Sequence, residues 1–338
     1  MTADDWRPIA SAATLEQRAA ILWQIRSFFH RQGFAEVQTP TISRDTVVDR
    51  YIDPVVLAGQ ALSCPQANAP QYYLQSSPEF CMKRLLAAGM KAIYQLGPAY
   101  RAGERGDYHN PEFSMLEWYR ADESFSDALR FLCELTDHLF ENFKNSYHAS
   151  GRVELTTVIT YSEAFGSVLG IDPLQCDASV LAHVAAREGL ALGGSWVDQS
   201  RDDWLNLLFS ECVQPSLGRA GPTIVTNYPA SQAALAQVSA EDARTAERYE
   251  LFYDGVELAN GYHELLDADE LIARSARVVD LRRSDGKPDL QIGNRLQEAM
   301  RAGLPAACGC ALGFDRLVMV LLGIDSIDRV IAFPIERA

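Results

Sequence analysis

The chain has 338 residues, of which 48% are apolar, and this suits one large domain or two ordinary ones with a substantial core. It has no run of ~20 apolar residues that could form a membrane helix. The acidic start, Met1–Asp5, lacks the pattern of a signal peptide, so we expect a cytoplasmic protein. The net charge of −15 disfavours general binding to nucleic acid, although two local basic clusters occur, at Arg101 with Arg105 and at Arg282 with Arg283.

The seven cysteines are scattered and form no CxxC pair, so the sequence predicts neither a disulfide framework nor a structural zinc site. Cys308 and Cys310 form a CxC pattern in a glycine-rich stretch. We interpret them as two buried thiols.

The predicted elements alternate between helices and short strands. A first helix is expected from a capping box at Thr14–Gln17 to Gly33. Short strands and one helix, which begins at Pro78, follow over residues 72–119, and residues 125–145 form a helix. Residues 160–215 are mostly helical, and strands return at 222–228, 247–265 and 309–313. Antiparallel strands flanked by helices, with no repeated βαβ unit, indicate an α+β fold.

The stretch from Tyr100 to Phe113 is a candidate phosphate-binding loop. It places Arg101 at the end of a strand, before a loop rich in glycine and charge. A guanidinium fixed there can bind phosphate oxygens, and a nearby aromatic ring can stack on a base. A hairpin with a solvated, charged tip explains the same residues.

A second candidate is Gly309–Met319. Small residues at 309, 311 and 313 allow a ligand to approach the backbone, and Arg316 follows at the start of a helix. Asp315 could orient Arg316 or cap the helix. Tight packing is the alternative explanation for the glycines.

Two carboxylates, Glu257 and Glu264, are seven residues apart, which in one regular strand places them on opposite faces. A bulge at Asn260–Gly261 could bring both to one side, where they could hold Mg²⁺ beside a triphosphate. Exposed strand carboxylates are the alternative.

A fourth group, Glu79, Glu117 and Tyr119, offers the negative and aromatic side chains that suit a cationic amine. Each of these residues alone is more often structural.

Taken together, these segments resemble class II aminoacyl-tRNA synthetases, and most of all the catalytic domain of the lysyl enzymes. "RQGFAEVQTP" at 31–40 is similar to motif 1, "YRAGERGDYHNPEF" at 100–113 to motif 2, and "GCALGFDRL" at 309–317 to motif 3. The resemblance implies one α+β catalytic domain over residues 1–338, an antiparallel sheet flanked by helices, with a mostly helical insertion at about 160–215. It also implies a homodimer.

Three departures from the lysyl enzymes stand out. The motif 1 helix begins near residue 14, so we expect no N-terminal OB-fold domain for reading an anticodon. Ala311 replaces a typical glycine, and Gly103 stands at the position of a familiar glutamate, with Glu104 one position later. These departures are similar to those of ligases that attach (R)-β-lysine to elongation factor P. That resemblance implies ATP and Mg²⁺, an acyl-adenylate of β-lysine or lysine, and transfer to a lysine ε-amine of the factor, without tRNA or a membrane.

The resemblance also implies roles for individual residues. Arg101 and Arg316 would be catalytic: Arg101 would bind the α-phosphate of ATP, and Arg316 would sandwich the adenine with Phe113. The ATP site would be completed by Ala102, Gly103, Asn110, Glu257, Leu258 and Gly313. Mg²⁺ would be held by Glu257 and Glu264, and the amino acid by Ser77, Pro78, Glu79, Glu117, Tyr119 and Glu264.

Three other functions stay open on the sequence. A truncated lysyl-tRNA synthetase-like enzyme could charge tRNA or another small acceptor, which the expected lack of an OB domain and the acidic charge oppose. An enzyme similar to ammonia-dependent asparagine synthetase is opposed by the lysine-type residues Glu79 and Tyr119. A regulatory paralogue without catalysis is opposed by the presence of both Arg101 and Arg316.

Overall fold

The computed structural model describes residues 6–62, 71–143, 154–190, 199–290 and 292–338. Cys64 and part of the predicted helical region, residues 191–198, lie outside these ranges. Among the helices within them, none is both long and apolar enough to span a bilayer.

The elements follow one another in the predicted alternation. The helices are α1 (Ala12–Arg31), α2 (Glu79–Ala87), α3 (Phe125–Phe143), α4 (Tyr161–Leu169), α5 (Ala178–Arg187), α6 (Arg201–Leu208), α7 (Ala268–Ser284), α8 (Arg295–Gly303) and α9 (Phe314–Leu322). The strands are β1 (Ala35–Glu36), β2 (Ile42–Ser43), β3 (Val55–Ala58), β4 (Gln71–Leu74), β5 (Ala92–Tyr100), β6 (Glu112–Ala121), β7 (Thr157–Thr160), β8 (Thr223–Pro229), β9 (Thr245–Tyr253), β10 (Val256–His263) and β11 (Ala307–Gly313).

The chain divides into two compact units. The first comprises Met1–Ser124, His138–Gly151 and Glu264–Ala338, and the second comprises Phe125–Asp137 and Arg152–His263. In the first unit, strands pair in the order β1-β5-β6-β11, and β2, β4 and β3 form a small antiparallel sheet.

The second unit pairs β10, β9, β8 and β7 in that order. The α+β class with a mainly antiparallel sheet is confirmed; among the strand pairs that the structure describes, only the short pairs β1–β5 and β7–β8 are parallel. No OB-type barrel occurs among the strands of the described ranges.

Helix α1 begins one turn earlier than predicted. The hydroxyl of Ser11, not that of Thr14, caps it by accepting the Thr14 backbone N–H at 3.1 Å. The capping-box prediction at Thr14 is therefore wrong, because Ser11 satisfies the first free N–H of the helix. The predicted end is confirmed, since Gly33 takes a positive φ of 77° immediately after the helix. The buried face of the helix carries Ile21, Ile25, Phe28 and Phe29.

The region 160–215 contains three helices, α4 to α6, followed by one π-helical turn, Phe209–Val213. Their apolar faces meet in a core of the second unit that includes Phe165, Leu181 and Leu208. The assignment of this region as an insertion stays a prediction.

Strand β10 is irregular, but not where the sequence suggested. The register shifts between Glu257 and Ala259, whereas Asn260 and Gly261 pair regularly with β9. The bulge predicted at Asn260–Gly261 is therefore wrong. Gly261 serves close packing instead, because a Cβ there would lie 2.2 Å from the ring of Tyr249.

The junction between β11 and α9 is held by a buried ion pair. Arg18 of α1 reaches Asp315 at 2.5 Å, and the Asp315 carboxylate also accepts the Ser114 backbone N–H of β6 at 2.7 Å. Burial raises the pKa of Asp315, while Arg18 opposes the rise. Asp315 therefore does not cap α9; it ties α9 to α1 and β6.

Replacing Arg18 with Met should destabilise the protein by about 3–5 kcal/mol, because Asp315 would remain buried without its counter-charge. Arg26→Met is the matched control on the same helix: Arg26 pairs with Glu36 near the surface, and its loss should cost about 0–1 kcal/mol. Urea unfolding of the two variants measures the difference. Equal stabilities would contradict a supporting role for the Arg18–Asp315 pair.

Candidate active site

The pairing of β6 with β11 determines which residues share a face. Tyr119 lies opposite Gly309, and Glu117 lies opposite Ala311. Directly opposed residues project to the same side of a sheet, and so does every second residue along each strand. Gly313 is thus on this face too. Cys308 and Cys310 alternate with these small residues along β11, so they project to the other side of the sheet. Both are buried, which confirms the prediction of buried thiols.

Gly309 makes room for the aromatic residue opposite it. A Cβ at this position would lie 2.2 Å from the Tyr119 ring and 2.5 Å from a carboxylate oxygen of Glu264. No side chain fits without moving both residues. Tight packing, the alternative explanation offered for the glycines of this strand, therefore applies at Gly309. The residue that requires it, Tyr119, lies opposite on β6, far away in the sequence.

Glu117 is a buried carboxylate with two hydrogen-bond donors. Tyr119 Oη donates to it at 2.6 Å and Ser77 Oγ donates to it at 2.7 Å. Burial raises the pKa of Glu117 to about 7, the charge of Glu79 adds to the rise, and the two hydrogen bonds oppose it. Burial also raises the pKa of Tyr119, which therefore keeps its proton and donates.

A lysine that the sequence analysis missed lies among the predicted acidic residues. Lys83 Nζ is 2.6 Å from Glu79 Oε1 and 2.5 Å from Glu264 Oε2, and all three side chains are buried. Lys83 and Glu79 are four residues apart on α2, a spacing that places them on one helix face and could have revealed the pair. We call Glu79, Glu117, Glu264 and Lys83 the carboxylate cluster.

The charges of the cluster depend on each other. Burial acts to lower the pKa of Lys83, but the carboxylates of Glu264 and Glu79 raise it above its ordinary value, so the ammonium stays charged. Burial raises the pKa of Glu264, and Lys83 opposes that rise.

Pro78 lies at the N-cap of α2, immediately before Glu79, and its carbonyl accepts the N–H of Met82.

Arg101 directly follows β5, and its guanidinium uses only part of its hydrogen-bonding capacity. Its guanidinium carbon lies 5.0 Å from the centre of the Phe113 ring, and Glu104 is 3.8 Å away. Its Nε is buried and has no hydrogen-bond partner within the described ranges. A buried N–H donor of this kind can receive an anionic oxygen, and the phosphate-binding role of Arg101 stays a prediction.

The backbone conformation of the loop after Arg101 explains why motif 2 has a glycine at position 103. Gly103 takes a positive φ of 77°, a conformation that glycine adopts without strain. The next residue, Glu104, supplies the carboxylate of this loop. Its Oε2 lies 3.8 Å from Arg101 Nη1 and 3.9 Å from His109 Nε2. The Ala102 backbone N–H is already used, because it donates to the Asp53 carbonyl at 2.7 Å.

Arg316 lies in the first turn of α9, one residue after Asp315. Its guanidinium donates to His109 Nε2 at 2.6 Å and to the Tyr108 carbonyl at 3.3 Å. Burial lowers the pKa of His109, and Arg316 lowers it further, so the ring is neutral and can accept. His109 is a second residue that sequence reasoning missed, although it directly precedes Asn110.

The C-terminal segment binds the motif 2 loop. Asn110 is buried, donates to the Glu112 carbonyl and accepts the Ile335 backbone N–H at 3.1 Å. Arg105 pairs with Asp328 at 2.8 Å and with Glu336 at 2.6 Å. Arg105, one of the two arginines of the first basic cluster, is therefore neutralised by this segment.

The second basic cluster is neutralised as well. Arg282 is 1% exposed and binds Asp53 together with several backbone carbonyls. Arg283 pairs with Asp280 and Asp289. The positive charges seen in the sequence thus support local structure and do not form a basic surface there.

Two predicted ATP-site residues lie on β10 in the second unit. Glu257 is half-buried next to the register shift, and Leu258 is buried. Within the described ranges, no group of three or more His, Cys, Asp or Glu residues has the arrangement of a metal site.

The fold and these motifs define a class II synthetase catalytic domain. The family model of the class II tRNA synthetases (D, K and N) matches residues 4–337, so the chain belongs to this family. Proteins named elongation factor P–(R)-β-lysine ligase are similar over nearly the whole chain. The relative from Proteus mirabilis (strain HI4320) is 43% identical and covers 99% of this chain and 98% of its own length.

The relative from Vibrio cholerae serotype O1 is 42% identical over 100% of both chains, and the one from Yersinia enterocolitica is 42% identical over 98% of each. The resemblance to these ligases is confirmed, and the family implies the use of ATP.

Replacing Gly309 with Ala should displace Tyr119 or Glu264 and weaken binding of the amino acid, with a stability cost of about 1–3 kcal/mol from overpacking. Gly97→Ala on β5 is the control, because its Cβ would meet only Gln95, at 3.6 Å. Urea unfolding and the KM for the amino acid in ATP–pyrophosphate exchange measure both effects. A Gly309→Ala enzyme that matched the control in both would refute the close-packing argument.

Proposed function

We propose that this protein activates (R)-β-lysine with ATP as an acyl-adenylate and transfers the acyl group to the ε-amine of a lysine on elongation factor P. The observation that carries the proposal is full-length similarity, at 42–43% identity, to relatives that bear the name of this ligase. The carboxylate cluster beside Tyr119 supports a substrate with ammonium groups.

The first step is the formation of the adenylate. A carboxylate oxygen of the amino acid attacks the α-phosphorus of ATP, the bond to the pyrophosphate oxygen breaks, and pyrophosphate leaves. Arg101, with its buried and unpartnered Nε, would stabilise the charge on the α-phosphate. Phe113 and Arg316 would stack on the adenine, and Ala102, Gly103, Asn110, Leu258 and Gly313 would complete the nucleotide site.

Amino-acid binding is proposed for the carboxylate cluster and its surroundings. Ser77 and Tyr119 orient Glu117 by hydrogen bonds, and Pro78 precedes the helix that carries Glu79. Fixed acceptors of this kind hold an ammonium group at a defined distance from the reacting carboxylate.

The second step transfers the acyl group. The neutral ε-amine of the acceptor lysine attacks the carbonyl carbon of the adenylate, the new amide bond forms, and AMP leaves with the electron pair of the broken C–O bond. The amine must lose a proton in this step.

Mg²⁺ would neutralise charge on the triphosphate. Glu257 and Glu264 are the proposed ligands, but Glu264 is buried against Lys83, and this arrangement favours its second predicted role, in amino-acid binding. Glu257 stays the better candidate for the metal.

A homodimer is also proposed. The first unit exposes large apolar side chains on α1 and on the small sheet, namely Trp23, Ile42 and Val56, and a second copy could cover them. The cytoplasmic location expected from the sequence stays a prediction.

Incubation with ATP, (R)-β-lysine and purified elongation factor P should add one β-lysyl group to the factor, which intact-mass spectrometry detects. Reactions without ATP are the control for non-enzymatic acylation. A parallel reaction with total tRNA tests the alternative function. Efficient charging of tRNA beside an unmodified factor would overturn the proposal in favour of a synthetase-like enzyme.

Arg101→Ala should lower the rate of ATP–pyrophosphate exchange by about 100-fold or more, because one charged donor at the phosphate is lost. Arg130→Ala, which removes an exposed arginine paired with Asp127, should leave the rate unchanged. Exchange at the wild-type rate in a folded Arg101→Ala enzyme would remove Arg101 from the phosphate site.

A further inference from the structure

Arg282 is a buried cation whose guanidinium is bound by oxygen atoms of a distant segment. It lies in the last turn of α7, and its side chain is 1% exposed. Its Nη1 donates to the carbonyls of Asp49 at 2.9 Å and Ile52 at 3.2 Å, and its Nη2 donates to Asp53 Oδ1 at 2.7 Å. Because a charge buried so deeply needs its acceptors, the segment that supplies them is held in one shape.

A second cation, Lys287, binds the same segment. Its Nζ lies 3.0 Å from the Arg50 carbonyl and 3.3 Å from Asp53 Oδ2. The two cations together hold backbone and side-chain oxygens of residues 49–53, which we call the anchored loop.

The anchored loop is joined to the motif 2 loop by a backbone hydrogen bond. The carbonyl of Asp53 accepts the Ala102 N–H at 2.7 Å. Ala102 lies between Arg101, which follows β5, and Gly103, where the chain takes a positive φ of 77°. The bond therefore ties the hairpin of β5 and β6 to another part of the chain at the point where Arg101 leaves the sheet.

We propose that Arg282 is a positioning residue for the activation step: it fixes the anchored loop, whose Asp53 carbonyl holds Ala102 and thereby the adjoining Arg101. The inference rests on the proposed function, in which Arg101 binds the α-phosphate. Arg282 acts through the loop and through Ala102, not by contact with the phosphate.

The state of the Arg101 guanidinium makes its backbone important. Its Nε is buried and has no hydrogen-bond partner in the part of the chain that the structure describes. The position of this donor therefore depends strongly on the backbone that carries it. Misplacement of a catalytic group by ~1 Å can cost about 100-fold in rate, so a loosened Ala102 should be felt at the reacting phosphate.

The first test is ATP–pyrophosphate exchange with (R)-β-lysine. In Arg282→Met, kcat should fall by roughly 10–100-fold. The KM for the amino acid should stay unchanged, because the carboxylate cluster is built from α2, β6 and Glu264 and not from the anchored loop. Arg282→Lys keeps the charge but not the planar fork of donors, so it should restore only part of kcat.

The matched control is the next arginine of α7. Arg283 is 57% exposed and pairs with Asp280 and Asp289. Arg283→Met should therefore match the wild type in kcat and in the KM for the amino acid.

Amide hydrogen exchange separates positioning from a general loss of stability. In Arg282→Met, the Ala102 N–H should exchange about 10-fold faster or more, because its acceptor is no longer held in place. The amides of β11 should keep their wild-type protection. A residue that only stabilised the whole fold would lower protection in both places.

A second variant covers the case in which Arg282→Met does not fold. Asp53→Ala removes a carboxylate that is 40% exposed but keeps the carbonyl that binds Ala102. Because Arg282 and Lys287 then lose one shared acceptor, Ala102 should exchange faster and kcat should fall, both by less than in Arg282→Met.

The outcomes are distinct. Wild-type kcat in a folded Arg282→Met or Asp53→Ala enzyme overturns the role of Arg282, whether or not Ala102 exchanges faster. A loss of protection that is equal in β11 and at Ala102, or a KM for the amino acid that rises as kcat falls, also overturns it. A wild-type enzyme that shows no exchange with (R)-β-lysine overturns the proposed function, whereas faster hydrogen exchange at Ala102 alone in Arg282→Met would still support the link between Arg282 and Ala102.

Discussion

The antiparallel register of β6 against β11 is the constraint on which the site depends. It places Tyr119 over Gly309 and Glu117 beside Ala311, so that the bulky polar residues of one strand lie over the small residues of the other. A shift by one residue would turn Glu117 and Tyr119 to the opposite side, where Cys308 and Cys310 are buried. The Arg18–Asp315 pair, which fixes the end of β11 to α1 and β6, therefore also secures the chemistry.

Charge is distributed unequally between the two ends of this face. At one end, Arg101 and Arg316 bring two guanidinium groups close to His109 and Glu104, and burial lowers the pKa of His109. At the carboxylate cluster the balance is reversed, and a single buried lysine offsets part of it. In the proposed reaction, the α-phosphate and the ammonium groups of the amino acid would therefore be bound by groups of opposite charge.

The sequence predicted much of this arrangement because its signals are local. The structure has the predicted strands around Arg101, the buried face of α1 and the direct passage from β11 into α9. Each of these predictions depends on residues that are neighbours in the chain. One error is local, because Ser11, three residues before Thr14, caps the helix. The other errors and omissions arise where residues farther along the chain decide: Tyr249 gives Gly261 its role, and Tyr119 gives Gly309 its role.

Lys83 was overlooked for the same kind of reason. Its spacing from Glu79 is local and visible in the sequence, but its burial becomes evident only when Glu264, 181 residues later, is placed beside it. The charge of the cluster at Arg101 and Arg105 could not be assessed from neighbouring residues, because Glu336, a counter-ion of Arg105, lies 231 positions away. Net charge reports composition, whereas binding depends on which charges are left uncompensated.

The contacts of the C-terminal segment have a consequence for the order in which the protein matures. Ile335, Glu336 and Asp328 hold the motif 2 loop, and the backbone of Ala332 accepts the N–H of Ile9 near the other end of the chain. A ribosome makes these residues long after those of the motif 2 loop, since Arg105 and Glu336 are 231 positions apart. The strands around the loop can pair during translation, but the loop gains these anchors only after residues 328–336 have emerged. A nascent chain thus carries an unanchored motif 2 loop, the proposed nucleotide loop, for much of its synthesis.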